Sequence, residues 1–339
     1  MLRHKIAVLI AVICYSGILC SCTQSALHPH SSQIYALDTV IDLTAYGENA
    51  QQAINAATEE IYRLEKLLSV TDENSDIYKL NNASGKELTL NPDTCRIIEL
   101  AKNASAQTQG KFDPTIYPVL KLWGFTEDEY SVPAKAEIAS AMKSVDYKNI
   151  TLGIDHTVSL QNGAQIDLGG IAKGYIADKA ANAMKAAGCT SGLISLGGNV
   201  RTIGEKADGT AWNIGIKEPD GNSYFATVTL QEDRSVITSG AYQRNFTKDG
   251  VTYHHIIDPK TGKPADSEAL SVTIIGKDGA LCDALSTAIY IGGTEFAEKV
   301  RNSEFEYVIL AHDGVIYASS SLKGKISLSN SSYTNIIYK

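Results

Sequence analysis

A pair of glycines ahead of a helical apolar run constrains this chain more than any other feature. Asp167-Leu168-Gly169-Gly170-Ile171-Ala172-Lys173-Gly174-Tyr175 follows Ala164-Gln165-Ile166, which reads as a short strand. After it Ile171, Tyr175, Ala180, Met184 and Ala187 recur at helical spacing until Gly188 stops the run. The expected local structure is a strand, a glycine turn and a helix N-terminus carrying a carboxylate and a lysine. Glycines let a ligand approach the backbone closely, and free N–H groups at a helix start favour anions. Lys173 adds a movable point charge suited to a phosphate. The stretch is neither standard nucleotide motif: Lys173 precedes Gly174 and Tyr175 follows it, and Gly-x-Gly-x-x-Gly is missing. Alone, it is equally a tight strand-to-helix turn, so its meaning depends on partners elsewhere.

The rest of the chain mixes helices and strands without an internal repeat. Residues 36–43 read as one alternating strand. Residues 48–68 read as an amphipathic helix with Ile54, Ala57, Ile61, Leu64 and Leu68 inward. Asn91-Pro92 reads as an N-cap and first-turn proline for a helix ending near Gly110. An ordered loop with Pro114, Pro118, Trp123 and Phe125 follows, then a short helix after Pro133 and a hairpin around Gly153. Strands dominate beyond Gly188, at 193–196, 212–216, 225–230, 236–238, 253–257 and 270–275. A helix over 283–291 and a hairpin turning at Asp313-Gly314 close the chain. This order favours a single α+β body over a doubly wound sheet.

Arg3-His4-Lys5 precedes an apolar run from Ile6 to Leu19, too short to span a bilayer comfortably. It ends at Leu19-Cys20-Ser21-Cys22, which resembles the bacterial lipobox with Cys22 as the lipidated residue. The expected organisation is a leader over 1–21, a polar lipidated tether over 22–33 and a folded domain over 34–339. The formal net charge of −8 falls further once Arg3 and Lys5 leave, which argues against general nucleic-acid binding. An anionic ligand then needs local help from a lysine, a helix start or a metal. Cys95, Cys189 and Cys282 remain, too few and too scattered for a disulfide framework or a zinc site.

Four stretches could converge on the glycine turn. Thr238-Ser239-Gly240 and Ser195-Leu196-Gly197-Gly198-Asn199 are two of them. In the third, His255 lies near the end of a strand, before the turn at Asp258-Pro259, where a general base could meet a substrate. In the fourth, Asp283 and Thr287 are four apart and share a helix face. A carboxylate, a hydroxyl and one backbone carbonyl make a hard-oxygen set that suits Mg²⁺. Each has a plainer reading too: a structural histidine, a helix-favourable first-turn aspartate, a loop.

Six motifs then stand in order: Gly-x-Phe-Asp-Pro-Thr with Leu-Trp-Gly-Phe, Asp-Leu-Gly-Gly-Ile-Ala-Lys-Gly, Leu-Gly-Gly-Asn, Thr-Ser-Gly, His-Ile-Ile-Asp-Pro-x-Thr-Gly and Asp-Ala-Leu-Ser-Thr. Together they resemble the ApbE family, the FAD:protein FMN transferases. The resemblance covers most of the chain from about Ala36. It implies an ApbE-like, T-fold-like body with largely antiparallel sheets. It implies an Mg²⁺-dependent enzyme that moves the FMN part of FAD onto a Ser or Thr hydroxyl of an acceptor protein and releases AMP. Its place would be the bacterial cell envelope, lipid-anchored and facing the periplasm. The acceptor would be a flavoprotein, such as a subunit of a membrane redox complex.

Matching positions carry the implied roles. Lys111, Phe112 and Asp113 line the flavin or nucleotide pocket, and Ile257 lies beside it. Asp167 hydrogen-bonds FAD, with Gly170 and Lys173 near the pyrophosphate. Asp283 and Thr287 hold the metal with the Ala172 carbonyl, and His255 takes the proton of the acceptor hydroxyl. Leu37-Asp38-Thr39 stands where the family often has Met-Gly-Thr, and Val70 where an aromatic often follows Leu-Ser. These two departures keep hydrolysis of FAD to FMN and AMP open as an alternative, with flavin binding without reaction as a third.

Overall fold

The computed structural model describes residues 28–127, 129–219, 221 and 223–339. The expected leader and Cys22 lie outside the described residues, as do tether residues 23–27. From Pro29 the expected tether is already strand: β1 (Pro29–Ala36) pairs antiparallel with β2 (Thr39–Tyr46). The single strand expected over 36–43 is therefore the tip of a hairpin. Leu37 and Asp38 take φ of 54° and 55°, the two-residue turn whose twist matches that of the strands. Glu65 Oε1 accepts the Leu37 N–H at 2.6 Å and anchors the tip.

α1 (Ala50–Leu68) buries the stripe its spacing predicts. α2 (Asp76–Asn81) is capped by Ser75, whose Oγ accepts the Tyr78 N–H at 2.9 Å. β3 (Leu88–Thr89) leads to α3 (Pro92–Gln107), which starts at Asn91-Pro92 as expected. α4 (Tyr117–Trp123), α5 (Lys135–Ala141) and the hairpin of β4 (Ile150–Leu152) and β5 (Thr157–Leu160) follow.

Residues 164–166 do not form the expected strand, because a side chain replaces the neighbour a strand would need. Asn81 Nδ2 donates to the Ile166 carbonyl at 2.8 Å, and Asn81 Oδ1 accepts the Ile166 N–H at 2.7 Å. One buried carboxamide satisfies both backbone groups. The chain then enters α6 (Gly169–Ala186), with Ile171, Gly174, Tyr175, Ala180 and Met184 buried.

β6 (Gly192–Leu196) turns through Gly197 and Gly198, both at positive φ, into β7 (Asn199–Ile203), a strand the sequence did not announce. β8 (Trp212–Lys217), β9 (Tyr224–Leu230) and β10 (Ser235–Gly240) come next. Two short pairs follow, β11 (Asn245–Lys248) with β12 (Val251–His254) and β13 (Ile257–Asp258) with β14 (Lys263–Pro264). β15 (Ala269–Gly276) precedes α7 (Gly279–Val300), which starts a turn earlier than expected because Asp278 caps it. β16 (Phe305–Ala311), β17 (Ile316–Ala318), β18 (Ile326–Leu328) and β19 (Ile336–Tyr338) complete the chain.

The central sheet has nine strands in the order β1-β2-β6-β7-β10-β15-β16-β17-β19. Its pairs are antiparallel except β17 with β19. One face packs on α1, α6 and α7, the other on a small sheet of β18, β9 and β8. The pleat sorts neighbours between the two: Ile274 and Ile309 face the helices, while Ile275, Val308 and Leu310 face the small sheet. The largely antiparallel α+β body expected from the sequence is the one observed. A separate apolar cluster of Val119, Trp123, Phe125, Ile138 and Ile257 sits under the β11–β12 hairpin. Among the described residues no helix is long and apolar enough to cross a membrane.

Candidate active site

α6 and α7 meet through glycine. A Cβ on Gly174 would lie 2.0 Å from the Gly279 carbonyl oxygen, so only hydrogen fits. Asp178 on α6 accepts the Gly279 N–H at 2.7 Å and clasps the start of α7. This approach brings the Gly174 N–H to Asp283 Oδ2 at 3.0 Å. Asp283 lies on the second turn of α7, not the first as expected, and is only 4 % exposed. Its other oxygen receives a long contact from Asn199 Nδ2 at 3.4 Å. Burial pushes its carboxyl above the usual range, while the Lys173 ammonium and the Gly174 N–H favour the charged form. The Lys173 backbone N–H also bonds this carboxylate, so it has three donors and lone pairs to spare.

Gly170 faces Thr287 across the junction. A Cβ there would come within 3.1 Å of Phe112 Cε2 and 3.7 Å of Thr287 Oγ1. Phe112, Gly170 and Thr287 therefore converge, and the Thr287 hydroxyl has no hydrogen-bond partner among the described residues. Among those residues no cluster of three or more His, Cys, Asp and Glu could hold a metal. A cation here would use one carboxylate and neutral oxygens, those of Asp283, Thr287 and the Ala172 carbonyl. The buried Asp283 carboxylate beside the unpartnered Thr287 hydroxyl fits a hard cation that keeps several waters.

Lys173 stands at the centre of the site electrically. Its ammonium forms no ion pair or hydrogen bond among the described residues, yet its charge acts on Asp167, Asp283 and His255. Asp167 Oδ1 accepts the Gly169 N–H at 2.8 Å, and its own N–H donates to the Pro114 carbonyl at 2.8 Å. Burial raises its carboxyl, opposed by that N–H and by Lys173 and Arg244.

His255 follows β12. Its N–H and its ring Nδ1 both meet the Arg244 carbonyl, each at 3.1 Å. A carbonyl only accepts, so Nδ1 carries the proton and Nε2 keeps its lone pair. Burial lowers its pKa to about 4, and the charges of Lys173 and Arg244 press the same way. The imidazole is therefore neutral at pH 7 and shaped as a base. His254 is turned elsewhere, with Nε2 on the Ala265 carbonyl at 3.0 Å.

Phe112, Asp167, Gly170, Lys173, His255, Asp283 and Thr287 thus share one neighbourhood. Three residues expected beside the ligand occupy supporting positions. The Lys111 ammonium lies over the Phe296 ring at 5.1 Å, well past Thr287 along α7. Asp113 fixes its own loop: Oδ1 accepts the Thr115 N–H at 2.9 Å and Oδ2 the Tyr147 N–H at 2.9 Å. Ile257 packs in the separate cluster beside Trp123. The sequence named Asn199 only as the end of a glycine turn, and Arg244 carried no signal at all. The Ser239 hydroxyl meets that of Ser286 at 2.7 Å, and Ser286 in turn donates to the Asp283 carbonyl at 2.7 Å. That link ties the Thr-Ser-Gly stretch to α7.

Comparison with known proteins identifies the family and the fold. The sequence profile of the ApbE family matches residues 37–309. The chain is 34% identical over 313 residues to the FAD:protein FMN transferase of Treponema pallidum, covering 86% of each. It is 36% identical over 241 residues to that of Klebsiella pneumoniae, covering 69% of this chain and 74% of the relative. The crystal structure of the ApbE protein from Thermotoga maritima superposes with a TM-score of 0.83 at 35% identity, over 88% of this chain and 99% of that one. The flavin transferase ApbE from Vibrio cholerae, at 24% identity and a TM-score of 0.77 over the same shares, has the same fold. With the profile spanning most of the chain and such a relative matching most of its length, this protein belongs to the ApbE family.

Proposed function

We propose that the chain transfers the FMN part of FAD to a Ser or Thr hydroxyl of an acceptor protein and releases AMP. The observation that carries this reading is the pairing of a neutral His255 with open Nε2 and an unpaired Lys173 at a helix start. Attack on a diphosphate phosphorus needs alignment and charge neutralisation more than an enzyme nucleophile. The Gly170 N–H at the start of α6 and the Lys173 ammonium receive the diphosphate of FAD. Asp167 keeps Oδ2 for a hydrogen bond to the dinucleotide, and Phe112 offers an apolar ring beside Gly170. His255 Nε2 takes the proton of the acceptor hydroxyl as its oxygen bonds to the FMN phosphorus and the bond to AMP breaks. Asp283, Thr287 and the Ala172 carbonyl would hold Mg²⁺, which would supply further charge neutralisation.

The N-terminal charge pattern and Leu19-Cys20-Ser21-Cys22 support a lipid anchor at Cys22, with the enzyme at the cell envelope facing the periplasm and its acceptor a membrane-associated flavoprotein. The test is to incubate the purified protein with FAD and Mg²⁺, with and without an acceptor domain. A fluorescent covalent adduct and equimolar AMP are expected only with acceptor. FMN and AMP released at turnover rates without it would replace transfer by hydrolysis.

A further inference from the structure

Arg244, just ahead of β11, holds two loops together around the imidazole. Its carbonyl accepts both the backbone N–H and the ring Nδ1–H of His255, each at 3.1 Å. Its guanidinium Nη2 donates to the Phe125 carbonyl at 2.6 Å. The Phe125 ring in turn stands edge-on to the imidazole, with centroids 6.4 Å apart and planes at 69°. Phe125 also meets Phe246 of β11 at 5.8 Å. The carbonyl that selects the tautomer thus belongs to a residue whose side chain is fastened to the loop behind the ring.

We infer that Arg244 is a positioning residue: by gripping the Phe125 loop it fixes the carbonyl that keeps His255 protonated at Nδ1 and open at Nε2. The catalytic consequence rests on the flavin-transfer reading; the tautomer does not. The charged and titratable groups facing the imidazole are Arg244 and His254 from the hairpin and Lys173 from α6. All three oppose a second proton on the ring. Removing Arg244 therefore loosens the carbonyl and removes one of the charges that keep the ring neutral.

The experiment uses the full chain labelled with ¹⁵N- and ¹³C-histidine, with His255→Gln to assign the His255 signal. In the unmodified chain His255 is expected to show the Nδ1–H tautomer between about pH 5.5 and 8. In Arg244→Met the tautomers mix, while the protonation midpoint stays below 6.5 because burial is the largest cause of its depression. FAD binding stays within about twofold, while transfer falls on the order of tenfold to a hundredfold. Arg244→Lys, which keeps a charge and a donor, recovers most of the rate. An unchanged tautomer in Arg244→Met overturns the assignment, whatever happens to the rate. If that variant does not fold, Arg244→Gln is judged by the same spectrum and the same outcomes. If the unmodified chain shows no transfer, the functional reading fails while the spectrum still decides the role of Arg244.

Discussion

The α6–α7 junction and the β11–β12 hairpin contribute to one site but are built differently. The junction belongs to the main core: glycine meets glycine, and Asp283 hangs between two helices. The hairpin is a separate two-stranded sheet over its own small aromatic cluster. Tyr130, Phe246 and Tyr253 stack along it at 5.1 and 5.3 Å, and Trp123 meets Tyr253 at 5.3 Å. On the proposed reading, the first region holds the anion and the second carries the base. The difference teaches that binding the dinucleotide and accepting the proton are separable properties of this chain.

The largest expected effect comes from Gly174→Ala. Its methyl would meet backbone, which cannot rotate away, so α6 and α7 must part. We expect a stability loss of about 3 kcal/mol or more, with FAD binding lost as well, read by thermal unfolding and by quenching of flavin fluorescence. A folded, FAD-binding variant would mean that the junction is not the rigid half.

On the proposed reading of a cation at the junction, Asp283→Asn should leave the fold in place and lower turnover on the order of a hundredfold to a thousandfold, with the proposed Mg²⁺ dependence shifted to higher concentration. Metal titrations of the rate read this directly. An unaltered Mg²⁺ dependence would remove the cation from the junction.

His255→Gln should cut transfer on the order of a hundredfold while FAD binding changes little. Equal losses in both would erase the distinction between the two regions. The same ring sets a pH dependence. Its folded pKa of about 4 lies below the ordinary 6.5, so the unfolded chain binds the extra proton between these values. The stability it contributes is complete above about pH 6.5 and is lost as pH falls toward 4. Transfer should hold down to about pH 5 and fail below that, and a rate that already halves near pH 6.5 would show an ordinary, solvated histidine.

The smallest effect belongs to Trp123→Phe. It removes the Nε1–H donated to the Gly262 carbonyl at 2.9 Å and weakens the Tyr253 contact. A cost of about 1–2 kcal/mol is expected. Transfer should slow a few-fold with FAD binding intact, and a matching loss of binding would show the hairpin gripping the dinucleotide as well.

What the sequence revealed follows from how local each feature is. The helical stripe of α1, the Asn91-Pro92 start of α3 and the Asp313-Gly314 turn are short-range signals, and they read correctly. The hairpin at Leu37-Asp38 did not, because Leu37 is not a customary left-handed turn former and Glu65 fixes the tip from far along the chain. Asp283 and Thr287 could be paired by helical spacing alone. The place of Asp283 on the second turn depended on Asp278 acting as cap. Arg244 was invisible because it acts through a backbone carbonyl, which any residue possesses.

The Asn81 carboxamide has one more consequence. Because a single side chain, and no ladder of strands, seats Ile166, the entry to α6 is indexed to α2, with the Pro114 carbonyl holding the Asp167 N–H next to it. Exposed turns inside that excursion, at Ser84–Gly85 and Asp155–His156, can gain or lose residues without re-aiming Asp167 or Lys173. Lengthening of the intervening chain is thereby uncoupled from the aim of its reactive end.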